Sequence, residues 1–256
     1  MLLSNSKFYY SAFYFSTKPI NAVSSNLAMI TMDYALALTD AVRFTRDTVW
    51  GRCGRWIYLA ISTIIFPFMM GYTMEIFRGN PVPPECNNWL RRFIDGIKYL
   101  IASFIYAIPV ILVLILSMIP IIMEFMNQIS NESVDFSLSA FVPYIIPCIA
   151  GIIVAFILAI IIAIISIIGI IRMARTNRFI EAFNFRAILN TIRTIGWKVY
   201  IIGLVNVWLI SFIIGFLLDT LVAVDLTNFF VALFIWPLII IFESRYLTLL
   251  YESSGE

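Results

Sequence analysis

The sequence predicts an all-α fold, a polytopic transmembrane helical bundle of about five membrane segments with two interfacial amphipathic helices. Three observations lead there. Apolar residues make up 62% of the 256 and charged ones only 12%, roughly half the charged share of a soluble domain, so most side chains expect a non-aqueous neighbour. The mean hydropathy of +0.96 is spread over several separate apolar runs, which excludes a single anchor carrying a water-soluble head. The basic residues collect in some of the connections between those runs and are missing from others.

Composition also closes off chemistries. A net charge of +2 gives no support to nucleic-acid binding by bulk basic charge. Histidine is absent, which excludes a histidine-based triad or zinc hydrolase. Cys53, Cys86 and Cys148 form neither a disulfide framework nor a C-x-x-C pair. Glycine-rich phosphate loops, a G-x-S-x-G turn and paired carboxylates are missing as well. No catalytic, cofactor-binding or metal-binding residue is assigned.

Residues 1–31 are polar and aromatic, lack the apolar core of a signal peptide, and read as a disordered extension. Amphipathic character begins just after Met32, so translation from Met1 and from Met32 are both open. A single helical membrane domain is expected over 32–251, followed by a short polar tail at 252–256. From Asp33 to Arg55, apolar Leu36, Val42, Phe44, Val49 and Trp50 alternate with Arg43, Arg46, Arg52 and Arg55, the pattern of a helix in the headgroup layer. The first apolar segment, Trp56 to Phe77, is interrupted by Pro67 and Gly71 and carries Glu75 near its end. The proline-rich linker Gly79 to Glu85 stops it.

The second segment, Ile97 to Met123, holds Pro109 and Pro120, at which breaks or kinks are expected. The third, Phe141 to Ile171, would reach roughly 46 Å against a ~30 Å hydrocarbon core. A break at Pro143 and Pro147 is therefore expected, leaving Cys148 to Ile171 as the span. Between Arg172 and Lys198, Phe179, Phe183, Ile188, Ile192 and Ile195 recur at helical spacing with Arg178, Arg186 and Arg193 between them, the second interfacial stretch. The fourth segment, Val199 to Leu218, and the fifth, Phe229 to Leu250, form a hairpin around Asp219, Asp225 and Asn228.

Lys and Arg near membrane ends set orientation. Region 78–98 carries Arg78, Arg91, Arg92 and Lys98, and region 172–198 carries Arg172, Arg175, Arg178, Arg186, Arg193 and Lys198. These regions and the C-terminus, near Arg245, are expected in the cytoplasm; loops 124–140 and 219–228, free of Lys and Arg, are expected outside. The sequon Asn131-Glu132-Ser133 falls in the first of those outer loops. A spanning first segment would put Arg43, Arg46, Arg52 and Arg55 outside, against the rule. A first segment that enters and returns keeps every basic flank inside, and a broken helix can reverse where protein surrounds it. Both readings stay open.

The clearest constellation is in the third segment, where Gly151, Ala155, Ala159 and Ala163 repeat every fourth position and are extended by Ser166 and Gly169. Such a face lets another helix approach closely, either within the chain or in a homo- or hetero-oligomer. Glu75, Glu243 and Arg245 are the polar candidates within the membrane segments; Arg245 lies near enough to the inner interface to snorkel. Arg92-Phe93-Ile94-Asp95 and Arg178-Phe179-Ile180-Glu181 echo one another, by a worn repeat or by coincidence.

Several landmarks in order resemble a family of prokaryotic membrane proteins, domain of unknown function 4013. They are Met32-Asp33, Gly71-Tyr72 followed by Ile76-Phe77-Arg78, Asp95-Gly96-Ile97-Lys98, and Arg178-Phe179 followed by Ala182-Phe183. The extension before Met32 does not match the family's usual start. The resemblance implies an archaeal-type membrane protein without an assigned activity, so it carries over no site residue.

The function expected is a non-enzymatic helper, scaffold or packing partner in the cytoplasmic membrane, touching anionic lipids through the arginines of its interfacial helices. The alternatives are a transporter or channel subunit built on proline-broken helices, and a membrane-embedded lipid enzyme.

Overall fold

The computed structural model describes residues 32–130, 138–221 and 226–255. The extension at 1–31 and the Asn131 sequon lie outside the described residues. The described chain forms eight α-helices: α1 (Tyr34–Val49), α2 (Cys53–Ile64), α3 (Phe66–Phe77), α4 (Trp89–Ser130), α5 (Val142–Thr176), α6 (Phe185–Ile195), α7 (Trp197–Leu221) and α8 (Leu226–Glu252). Short 3-10 turns at Leu138–Phe141 and Phe179–Phe183 precede α5 and α6.

Asp33 caps α1, its carboxylate accepting from the amides of Ala35 and Leu36 at 3.0 and 3.1 Å. Gly51, at a φ of +68°, ends the amphipathic stretch earlier than the sequence pattern suggests, since few other residues take that conformation cheaply. Arg52 and Arg55 therefore belong to the start of the next helix. The face α1 buries is small, with Ala37, Ala41, Phe44 and Thr48 inside, while Leu36, Val42 and Trp50 point outward. On α6 the apolar stripe packs as expected: Ile188, Ile192 and Ile195 are buried, and Arg186 and Arg193 face out.

Four helices are long and apolar enough to cross a membrane, and α2 with α3 makes a fifth membrane segment bent by 120° at Ile65. Pro67 sits in the first turn of α3, where its missing N–H costs nothing. Each half has 12 residues, so it is about 18 Å long, and a 120° change of direction leaves the two ends only about 18 Å apart. That is short of a ~30 Å core. The bend precedes Pro67, and Gly71 is no break at all but part of continuous α3.

The other prolines behave differently. Pro109 and Pro120 lie inside uninterrupted α4, and Pro147 inside uninterrupted α5, so none ends a helix. The expected break near Pro143 and Pro147 is replaced by a 35-residue helix entered from a 3-10 turn. A transmembrane helix tolerates proline when neighbours re-satisfy the freed carbonyl. Likewise α4 continues through Glu124 to Ser130, in place of the expected polar loop.

Burial separates a centre from a periphery. Only 6% of the most apolar stretch of α4 and 11% of that of α5 is buried within the chain, against 39% for α8. Phe104, Leu116, Ile146 and Phe156 stand well exposed on α4 and α5, as side chains suited to lipid. Helix α8 instead packs on α1, α2, α3 and α7. The tightest helix contact is the crossing of α3 and α4. A Cβ on Gly71 would stand 1.9 Å from the Arg92 carbonyl oxygen, and one on Gly96 would stand 1.7 Å from that of Pro67.

Backbone cannot yield as a flexible side chain can. Gly96→Ala should destabilise the protein by about 2 kcal/mol or more, read as a lower thermal midpoint in detergent. Gly54→Ala, in a helix with open space around it, should be neutral or stabilise by up to ~1 kcal/mol.

Candidate functional site

The first turns of α4 place Arg91, Arg92 and Asp95 among apolar Leu90, Phe93, Ile94 and Ile97. A charged side chain there must either face water or find partners. Arg92 finds partners: it is fully buried, and its guanidinium joins four segments of chain. Nη2 donates to Glu75 Oε2 of α3 at 2.7 Å and to the Glu85 carbonyl of the linker at 2.6 Å, while Nη1 donates to the Tyr58 hydroxyl of α2 at 3.0 Å. The guanidinium carbon also lies 5.5 and 5.2 Å from the ring centres of Tyr58 and Tyr72, within cation–π range. One side chain of α4 thus holds both arms of the bent pair.

One turn further on, Asp95 is 3% exposed and serves three cations. Arg78 binds it directly through Nη2, Lys98 Nζ approaches to 3.4 Å and Arg91 Nε to 3.9 Å. Three further arginines tie other helices together. Arg245 of α8 donates to Asp40 of α1 at 2.7 Å and to the Asn80 carbonyl at 3.3 Å, over the ring of Phe44. Arg175 at the end of α5 pairs with Glu252 at 2.6 Å, donates to the Phe77 carbonyl at 3.2 Å and lies over Tyr251. Arg172 pairs with Glu181 at 3.2 Å.

The polar candidates of the sequence therefore part ways. Glu75 is closed into the Arg92 cluster. Arg245, expected to snorkel, is instead 6% exposed, because Asp40, the Asn80 carbonyl and the Phe44 ring meet it inside the bundle. Glu243 is half-buried beside Ser211 of α7 and Tyr99 of α4, in no ion pair among the described residues. The last polar residue of α8, Glu252, closes on Arg175. Cys86 lies near Arg92 and Arg55; burial pushes its thiol up against their pull, which disfavours the reactive thiolate.

The small-residue face of α5 does two things. At one end Gly151 meets Ser117 of α4, where a Cβ would stand 2.2 Å from the serine Cβ, and Ala155 is buried. At the other, Gly169 packs on the Ala182 carbonyl and the Tyr106 hydroxyl, which are hydrogen-bonded to each other. Between these contacts the helices part around a cavity of about 360 Å³, lined by Ala159, Ala163 and Ser166 on α5 and by Tyr99, Ser103 and Ala107 on α4. The two tetrapeptides that echo in sequence are not equivalent: Arg92 and Asp95 are buried on a helix, whereas Arg178 is exposed ahead of a 3-10 turn and Ile180 is 80% exposed within it.

Sequence reasoning counts Arg92 and Arg78 as loop cations and misses Tyr58, Tyr72, Asp40 and Asp95 as partners of the arginines. A signal is there. Arg92 and Asp95 fall three residues apart inside an otherwise apolar helix start, which is the spacing of one face. Among the described residues no three His, Cys, Asp or Glu side chains are placed to hold a metal ion.

A family model described as a protein of unknown function, DUF4013, matches residues 57–224. The chain belongs to that family. The DUF4013 match takes in α3 to α7 whole and leaves α1 outside, so the Met32-Asp33 landmark is not part of it. Two of the other landmarks fold onto one another, with Gly71 against α4, Gly96 against α3, Arg78 on Asp95 and Tyr72 beside Arg92, whereas Ala182 of the last packs on Tyr106 and Gly169. No curated protein and no solved structure matches the chain.

Removing Arg92 leaves the largely buried Glu75 carboxylate without its cation and the Glu85 carbonyl without its donor. Arg92→Ala should therefore destabilise by about 3–5 kcal/mol. Arg92→Lys should not restore the loss, since a single ammonium cannot reach three acceptors in a plane. Chemical unfolding of the purified protein in detergent checks both, and the double variant Arg92→Met with Glu75→Leu should recover part of the loss.

Proposed function

We propose that this member of the DUF4013 family is a non-enzymatic scaffold or packing partner of the cytoplasmic membrane, with its ion-paired end facing the cytoplasm. The observation that carries the reading is the use made of the acids: Asp40, Glu75, Asp95, Glu181 and Glu252 each hold a cation of another segment. A buried pair adds little net stability but fixes which helices meet, because each wrong pairing would leave a charge uncompensated. That suits a part whose task is shape.

The orientation rests on the cations left over. Arg43, Arg52, Arg178, Arg186, Arg193 and Lys198 are exposed and in no ion pair among the described residues. Near an anionic leaflet each contributes about 1 kcal/mol of attraction. The bent α2–α3 pair supports the same orientation, since a segment that returns keeps Arg43 and Arg52 on the side of the other basic loops.

Transport is the weaker reading. Its motivating features are Glu75 and the proline breaks, and Glu75 is closed by Arg92 while Pro109, Pro120 and Pro147 lie in continuous helix. The bend itself presents exposed Ile64, Ile65 and Phe66, which offer a solute nothing to coordinate.

Two measurements test the reading. In a cysteine-free background, Arg43→Cys should resist a membrane-impermeant maleimide in intact cells and react after permeabilisation, while Gln128→Cys reacts at once; rapid external labelling at position 43 overturns the orientation. Mild-detergent purification after cross-linking in membranes should recover a stoichiometric protein partner. A lone monomer under those conditions overturns the scaffold role.

A further inference from the structure

The cavity between α4 and α5 is left open by the packing of the two helices, and its surroundings say what fills it. Its lining residues, 99–111 on α4 and 159–170 on α5, lie within helices apolar enough to span the membrane. Its rim includes Ile111, which is 37% exposed on a face suited to lipid. The medium at that mouth is hydrocarbon, so the void is open to acyl chains and closed to solutes that arrive through water. Its size lies within the about 300–1,000 Å³ of ordinary small-molecule sites.

The lining asks for an apolar occupant. Tyr106 donates to the Ala182 carbonyl and Ser166 to the Ala163 carbonyl at 3.1 Å. The hydroxyls of Tyr106 and Ser166 are thus committed to the protein, and the remaining surface, Tyr99 and Ser103 apart, is alanine, valine, isoleucine, leucine and phenylalanine. The end of the cavity nearest the ion-paired layer has a different character. Phe77, which lines it, is followed by Arg78 and gives its carbonyl to Arg175; Tyr99, which also lines it, is preceded by Lys98. Arg78, Arg91, Lys98 and Arg175 share Asp95 and Glu252 there, and with Glu243 beside Tyr99 also counted one positive charge is left in excess.

From this juxtaposition of an apolar void open to the bilayer with a cationic rim at one end, we infer that the α4–α5 cavity is a binding site for an anionic phospholipid. One acyl chain lies between Ala107 and Ala163, and the phosphate meets Arg91 and Lys98, whose side chains are 61% and 40% exposed. The inference is independent of the scaffold reading: a transporter or an enzyme with this cavity would hold the same lipid.

The full chain in phosphatidylethanolamine vesicles, carrying a minor fraction of phosphatidylglycerol with a photoreactive group midway along one chain, provides the test. Cross-links mapped by mass spectrometry should concentrate on Ser103, Ala107 and Ala163 above the exposed isoleucines of the same helices. The same label on phosphatidylethanolamine should react less. Lys98→Gln should cut the preference for the anionic lipid about fivefold, the ratio that ~1 kcal/mol per cation corresponds to. Ala163→Phe, which fills the cavity, should abolish the concentrated cross-links while leaving those on the exposed isoleucines.

Cross-links spread in proportion to exposure overturn the site, and equal labelling by the two lipids overturns the headgroup contact. Both results come from the unaltered protein, so they stand even where a variant fails to fold.

Discussion

The guanidinium of Arg92 is the contact on which the arrangement of the other helices depends. It is a charge with no water beside it, so its cost must be met by hydrogen bonds, and its acceptors come from α2, α3 and the linker between α3 and α4. Moving any of those elements strands a charge or a carbonyl. The bent pair is thereby fixed to the start of the first long helix, although its two halves are joined only by the single turn at Ile65.

The close crossing beneath that contact is what brings Arg92 within reach. Gly71 and Gly96 let the backbones of α3 and α4 meet without intervening side chains, and Arg78 closes on Asp95 beside them. Elsewhere the same device appears with other residues. Ala37 and Ala41 let α1 approach α8 closely enough for Asp40 to reach Arg245. In hydrocarbon there is no hydrophobic force between helices, so close approach and a few strong polar contacts decide which helices associate. The long helices α4 and α5 show the converse: mostly exposed to lipid, they touch where Gly151 and Gly169 permit and part between those points.

Much of this is legible in the order of residues. The apolar runs locate the spans, the stripe of Ile188, Ile192 and Ile195 locates the buried face of α6, and the conflict between Arg43, Arg46, Arg52 and Arg55 and the charge rule singles out the first segment as irregular. Other expectations fail for physical causes. Proline does not break these helices, because in lipid the alternative to a helix is an unsatisfied backbone, and Pro109, Pro120 and Pro147 stay within theirs. The stretch read as one headgroup-layer helix from Asp33 to Arg55 ends at Gly51, and Phe44 is buried with Ala37 and Ala41 while Leu36, Val42 and Trp50 face outward. Arg245 reads as free to snorkel, since nothing in its own neighbourhood reveals an aspartate 205 positions away.

By itself the sequence determined the properties that depend on local composition: membrane residence, helical class, approximate spans and the placement of basic residues in a few connections. These are set by transfer of each segment between water and hydrocarbon, which depends on that segment alone. Only the tertiary structure decided which arginines are spent on carboxylates and which remain exposed, that the first segment bends by 120° at Ile65, and that the small face of α5 lines an open cavity between its two contacts. Each of these is a meeting of side chains far apart in sequence, and burial turns such a meeting into a constraint that no local pattern carries.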